Sequence, residues 1–89
     1  MPRRIQILVI GHNTKGCTEE HSKIAYEIGS EIALAGHVLI TGGLGGIMEA
    51  ACQGAQNSNG LSVGIIPQGD ANMANPFCDI VIPTGMGFK

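Results

Sequence analysis

Four glycines flank a single leucine at Gly42, Gly43, Gly45 and Gly46, and Glu49 stands three residues further on. The apolar run ending at Ile40-Thr41 enters this stretch, and the helix-forming run Ile47-Met48-Glu49-Ala50-Ala51 leaves it. Glycine takes loop conformations freely and has no side chain to block approach. A strand-to-helix junction of this composition therefore brings backbone N–H groups and a helix N terminus close to an anion. A phosphate group is the natural guest. Glu49 either offsets the helix dipole or accepts hydrogen bonds from ligand hydroxyls.

Two further segments emerge where strands end, the usual ligand edge of an open α/β sheet. The first carries Gly11, His12, Asn13 and Thr14, all able to make polar or close backbone contacts. His12 is capable of acid–base chemistry but has no visible partner, so it reads as a loop contact and not a catalyst. The second carries Thr84, with a hydroxyl, and Gly85, with an accessible backbone. Asn72 and Asn75 suit turn formation better than base or ribose recognition. Met48, Met73 and Met86 suit gap filling. The glycine run lacks the terminal Gly-Lys-Ser/Thr of a Walker A loop, and Met48 occupies the third position of a dinucleotide fingerprint.

The composition narrows the class. The chain has 89 residues, a net charge of −2 and only five basic side chains, which argues against a nucleic-acid binder with a basic surface. No apolar stretch is long enough to cross a bilayer and no signal-peptide pattern is present, so a cytoplasmic protein is expected. Cys17, Cys52 and Cys78 are an odd, widely spaced set that reads as reduced packing thiols and not a disulfide framework. Neither they nor His12 and His21 match a zinc spacing, and Asp70 and Asp79 suggest no metal site either.

These candidates need elements to position them. Residues 5–10 are nearly continuous in apolar character, as in a parallel strand buried on both faces. Thr18 reads as an N-cap followed by Glu19 and Glu20. Ile24, Ala25, Ile28 and Ile32 then recur at helical spacing, to lie on a sheet before Gly36 ends the helix. Residues 37–41 and 61–66 read as the second and third strands. Between them Ile47, Ala51, Gly54 and Ala55 share a helix face whose small residues allow close approach to the sheet. A fourth strand is expected over 77–82. The fold class is α/β, a Rossmann-like parallel sheet with flanking helices, although strand order is not legible.

From Gly42 to Ala55 the chain resembles the molybdenum cofactor carrier proteins, within the wider LOG-type, lysine-decarboxylase-like Rossmann superfamily. The segments Val63-Gly64-Ile65-Ile66-Pro67, Ala74-Asn75-Pro76-Phe77 and Ile82-Pro83-Thr84-Gly85-Met86-Gly87 resemble later family segments in order. The resemblance implies a nucleotide- or pterin-phosphate-binding fold, often oligomeric, whose ligand is molybdopterin, the molybdenum cofactor or a nucleoside monophosphate such as AMP. It does not imply decarboxylation. A complete relative continues into another helix, strand and phosphate loop, so residues 1–89 are expected to form one partial, apparently truncated domain. The LOG-type phosphoribohydrolases take an arginine and a glutamate from those later segments, leaving Glu49 as the lone catalytic candidate. The expectation is therefore a homo-oligomeric, non-catalytic binder of a phosphorylated small molecule. One alternative is a nucleoside 5′-monophosphate phosphoribohydrolase that needs the missing segments. The other is a structural fragment that binds nothing small and self-associates through its exposed sheet edge.

Overall fold

The computed structural model describes residues 5–10, 18–43 and 45–86. Their order is β1 (Gln6–Leu8), α1 (Glu19–Leu34), β2 (Val38–Thr41), α2 (Ile47–Asn57), β3 (Leu61–Ile66), a single 3₁₀ turn (Ala71–Met73) and β4 (Ile80–Pro83). All pairings are parallel and the sheet runs in sequence order, β1-β2-β3-β4. This is the α/β, Rossmann-like architecture that the alternation of runs implies. Ile5 and Val9 extend the β1 pairing by one bond at each end, Val38 N donating to the Ile5 carbonyl (2.8 Å) and Val9 N to that of Ile40 (2.9 Å).

Helix α1 begins where Thr18 takes an extended conformation and its Oγ1 accepts a hydrogen bond from His21 N at 3.1 Å, with Glu19 and Glu20 in the first turn. It ends at Ala35, followed by Gly36 at φ +78°, where Gly36 N closes on the Ala33 carbonyl. Helix α2 ends through Asn59 at φ 58° and a bond from Gly60 N to the Ala55 carbonyl.

Both helices pack on the same face of the sheet, because each connection steps one strand over in the same direction. The core between them and the sheet is built from Ala25, Ile32, Leu39, Ala51, Cys52 and Ala55, flanked by Ile7, Val9 and Ile47. The helix-to-helix contact is backbone against backbone. A methyl group at Gly29 of α1 would overlap the Ala51 carbonyl of α2, and one at Gly54 would overlap the Tyr26 carbonyl. The close approach expected of Gly54 is thus to α1 and not to the sheet.

This geometry corrects the reading of α1. Ala25, Gly29 and Ile32 face inward, whereas Ile24 and Ile28 remain 49% and 45% exposed. With α2 so near, only small residues fit at the line of contact, and the larger isoleucines are displaced to the flank. There they join Val9, Ile10, His21, Ala25 and Ile47 around an open apolar groove of about 310 Å³.

The fourth strand starts later than expected. Phe77 N is held by the Asn75 side chain (2.9 Å), and Ser62 Oγ donates to the Phe77 carbonyl (2.9 Å). Asp79 Oδ2 accepts from Ser62 N (2.9 Å). These side-chain bonds take up the backbone groups that a strand over 77–79 would need, so the ladder begins at Ile80.

The opposite face of the sheet carries no helix among the described residues. Leu8, Ile40, Val63 and Ile80 fall in one cross-strand row there, with Ile65 paired to Ile82 in the next. Leu8 is 64% exposed. Replacing Gly54 with Ala should force α1 and α2 apart and lower stability by about 1–3 kcal/mol. A denaturant titration measures that loss directly.

Candidate functional site

The glycine run lies at the C-terminal edge of the sheet, between β2 and α2. Thr41, the last residue of β2, is buried against α2, and its Oγ1 accepts a hydrogen bond from Gly43 N at 2.9 Å. This bond turns the chain away from the sheet immediately after the strand. Gly43 then takes φ +73° directly over β3, where a Cβ would strike Ile66 and Gly64. Both its conformation and its surroundings exclude a side chain. The Gly43 carbonyl is fixed from the other side by Asn75 N at 2.7 Å.

Gly46 precedes α2 at φ 70°, ψ −130°, and makes no side-chain capping bond. The first bond of the helix runs from Ala50 N to the Gly46 carbonyl, so the preceding N–H groups of the first turn have no intrahelical acceptor. Such a terminus attracts negative charge, and Glu49 in the first turn provides one side chain of that sign. Gly42 completes the turn against Met48, whose Sδ would lie 2.9 Å from a Cβ at that position and would have to shift to admit one.

The structure brings Gly42, Gly43, Gly45, Gly46 and Glu49 together on this one junction. Thr84 and Gly85 lie at the same edge of the sheet but beyond β4, two strands from β2. The Thr84 hydroxyl is engaged locally, donating to the Ile66 carbonyl (2.9 Å) and accepting from Met86 N (3.3 Å). Gly85 takes φ +68° and its N–H donates to the Gln68 carbonyl. Gly11, His12 and Asn13 lie outside the described residues. No group of three or more His, Cys, Asp or Glu side chains forms a metal-sized cluster among the described residues.

Several supporting residues escape a reading by sequence alone. Thr41 and Asn75 hold the turn from below and from the side. Gln68, two residues past β3, keeps its Oε1 buried without a hydrogen-bond partner among the described residues. An Asn-Pro turn signal was visible at Asn75-Pro76, but its contact with Gly43 depends on the sheet order.

Beneath the turn, Cys52 of α2 and Cys78 before β4 place their sulfurs 3.8 Å apart, and Thr41 Oγ1 is 3.5 Å from the Cys52 sulfur. The hydrogen bond from Cys78 holds the Cys52 thiol down to about 6 against the opposing effect of burial, with further help from Thr41, Asn75 and Ser62. The same pairing, together with burial, pushes the Cys78 thiol up. The widely spaced cysteines of the sequence thus include a contacting pair.

A parallel α/β sheet with a glycine-built helix terminus at its carboxyl edge defines a Rossmann-like fold. Within that class the chain belongs to the SLOG cluster4 family, whose model matches residues 4–89. It is 51% identical over 83 residues to an uncharacterized protein of Archaeoglobus fulgidus, covering 93% of this chain and 53% of that protein. The molybdenum cofactor binding protein of the phototrophic bacterium Rippkaea orientalis superposes with a TM-score of 0.89 at 41% identity, over 96% of this chain and 52% of that one. The molybdenum cofactor carrier protein of Chlamydomonas reinhardtii gives 0.87 at 33% identity, over 98% and 52%. The chain therefore spans about half the length of each of these relatives. No helix among the described residues is long and apolar enough to cross a membrane.

Replacing Thr41 with Val keeps the shape but leaves Gly43 N without its acceptor, so the thermal midpoint should fall by an amount equivalent to about 1–2 kcal/mol. The Cys52 thiol ionises more readily in the folded chain than in the unfolded one. Between about pH 6 and the ordinary thiol value of 9.0 the unfolded state binds the extra proton, and stability rises with pH. Denaturant titrations across that range should show the margin of the wild type over Cys52→Ser widening as the pH increases.

Proposed function

We propose that this chain contributes the phosphate-holding part of a molybdenum cofactor carrier, binding a phosphorylated pterin-like cargo without transforming it. The observation that carries this reading is the emptied turn at Gly42, Gly43, Gly45 and Gly46. Its backbone is fixed by Thr41 and Asn75, and it opens onto the uncapped terminus of α2. Glycine backbone beside first-turn N–H groups that have no intrahelical acceptor suits a phosphate better than an uncharged group.

Gly43 and Gly46 both hold positive φ, so no Cβ stands at either position and a ligand can approach the backbone there. In this reading the glycine N–H groups hold the phosphate, and Glu49 accepts a hydroxyl or an N–H from the remainder of the molecule. Gly85 borders the same edge, and Gly11, His12 and Asn13 contribute from the first loop on sequence grounds. The similarity to two proteins described as molybdenum cofactor binding or carrier proteins supports the pterin over a plain nucleotide.

The binding unit in this proposal is larger than the 89 residues. Residues 1–89 form one partial Rossmann-like domain, acting in the cytoplasm and completed by further chain or by self-association. The apolar row Leu8, Ile40, Val63 and Ile80, which no helix covers among the described residues, supports that part of the reading, as do relatives of about twice the length.

Calorimetric titration with molybdopterin, and with AMP as a second probe, tests the assignment. Gly45→Ala should weaken binding tenfold or more, about 1.4 kcal/mol, while the ligand-free thermal midpoint hardly moves. Unchanged affinity in that variant would remove the glycine turn from the site. A preference for AMP, with release of free adenine that Glu49→Gln abolishes, would replace the carrier reading by a hydrolytic one.

A further inference from the structure

We propose that Cys52 and Cys78 are a redox modification site, closing reversibly into an intramolecular disulfide beneath the glycine turn. The two sulfurs are 3.8 Å apart although 26 positions separate them in sequence. A disulfide requires about 2.05 Å, so the two sulfurs, already in contact, must close the remaining gap.

The fold makes room for this pair and for little else. A Cβ at Gly64 would lie 2.7 Å from the Cys78 sulfur, so the space that this sulfur occupies exists because β3 carries a glycine there. Cys52 is fully buried in the core, while Cys78 is partly accessible at its margin. An oxidant that reaches the pair must therefore be small. The lowered Cys52 thiol supplies the thiolate that such chemistry needs.

With a peroxide as oxidant the step balances as follows. One sulfur of the pair, as thiolate, attacks one peroxide oxygen, the O–O bond breaks, and hydroxide leaves with the proton released from that thiol to form water. The other sulfur then attacks the resulting sulfenic acid, the S–S bond forms, and a second water departs with the second thiol's proton. Two thiols lose two electrons to one peroxide, and a thiol reductant reverses the change.

The bond would fasten α2 to the segment before β4. It would also replace the Cys52 thiol that stands 3.5 Å from Thr41 Oγ1, the oxygen that receives Gly43 N. Asn75, three residues before Cys78, holds the Gly43 carbonyl. The oxidation state of the pair is in this way mechanically linked to the turn above it, whatever that turn binds.

The test uses the whole chain and its Cys17→Ser variant, treated with a small excess of hydrogen peroxide and then quenched. The expected result is a mass loss of about 2 Da in both proteins, restored by dithiothreitol. A non-reducing peptide map should join the Cys52 and Cys78 peptides, and either Cys52→Ser or Cys78→Ser should abolish the link. The proposal is overturned if Cys52 and Cys78 both remain alkylatable after treatment and unfolding. It is equally overturned if each gains oxygen without cross-linking, or if the bond formed pairs Cys17.

Discussion

The contact of α1 with α2 at Gly29 and Gly54 sets most of the geometry described above. Helices normally pack with their axes 8–10 Å apart, held off by the side chains between them. Here each helix presents a glycine to a carbonyl of the other, so the backbones meet with no side chain at the line of contact. Van der Waals attraction across such a surface is the sum of many weak contacts and is lost when even a methyl group intervenes. With α1 fixed in this way, the axis and starting point of α2 follow, and the glycine turn feeding α2 is aimed by packing that takes place well below it.

The turn itself is over-determined. Thr41 Oγ1 accepts from Gly43 N, Asn75 N donates to the Gly43 carbonyl, and β3 lies immediately under Gly43. These three supports, from three different elements, meet at Gly43 and leave that residue little freedom. The polar groups responsible are few, and Thr41 and Asn75 are buried. A single lost partner is therefore felt more strongly here than at the surface.

How much of this could be read in the sequence depended on whether the cause was local. The cap at Thr18 and the stop at Gly36 are each dictated by neighbouring residues, and they were legible; the strand around Ile7 was also legible, but it spans only Gln6–Leu8 and is open on one face instead of buried on both, with Leu8 64% exposed. So was the glycine junction, since positive φ at Gly43 and Gly46 is a demand that few other residues meet. The inward face of α1 was misread because hydrophobicity favours Ile24 and Ile28, whereas the nearness of α2 selects Ala25 and Gly29. The start of β4 was misread because the Ser62, Asn75 and Asp79 side chains compete with the ladder across long separations. The Cys52–Cys78 contact and the support from Asn75 depended on strand order, on which local pattern is silent.

The bare side of the sheet has a thermodynamic corollary. Unfolding raises heat capacity in proportion to the apolar surface that becomes newly hydrated, and denaturant sensitivity scales with the total surface exposed. Leu8 is 64% exposed and Ile65, Ile80 and Ile82 are 42%, 45% and 46% exposed in the folded chain, so each contributes less to either quantity than a core side chain does. A sheet face left partly open, as this one is among the described residues, lowers the heat-capacity increment and the denaturant slope relative to a sheet packed on both sides, and the stability curve steepens whenever that face is covered.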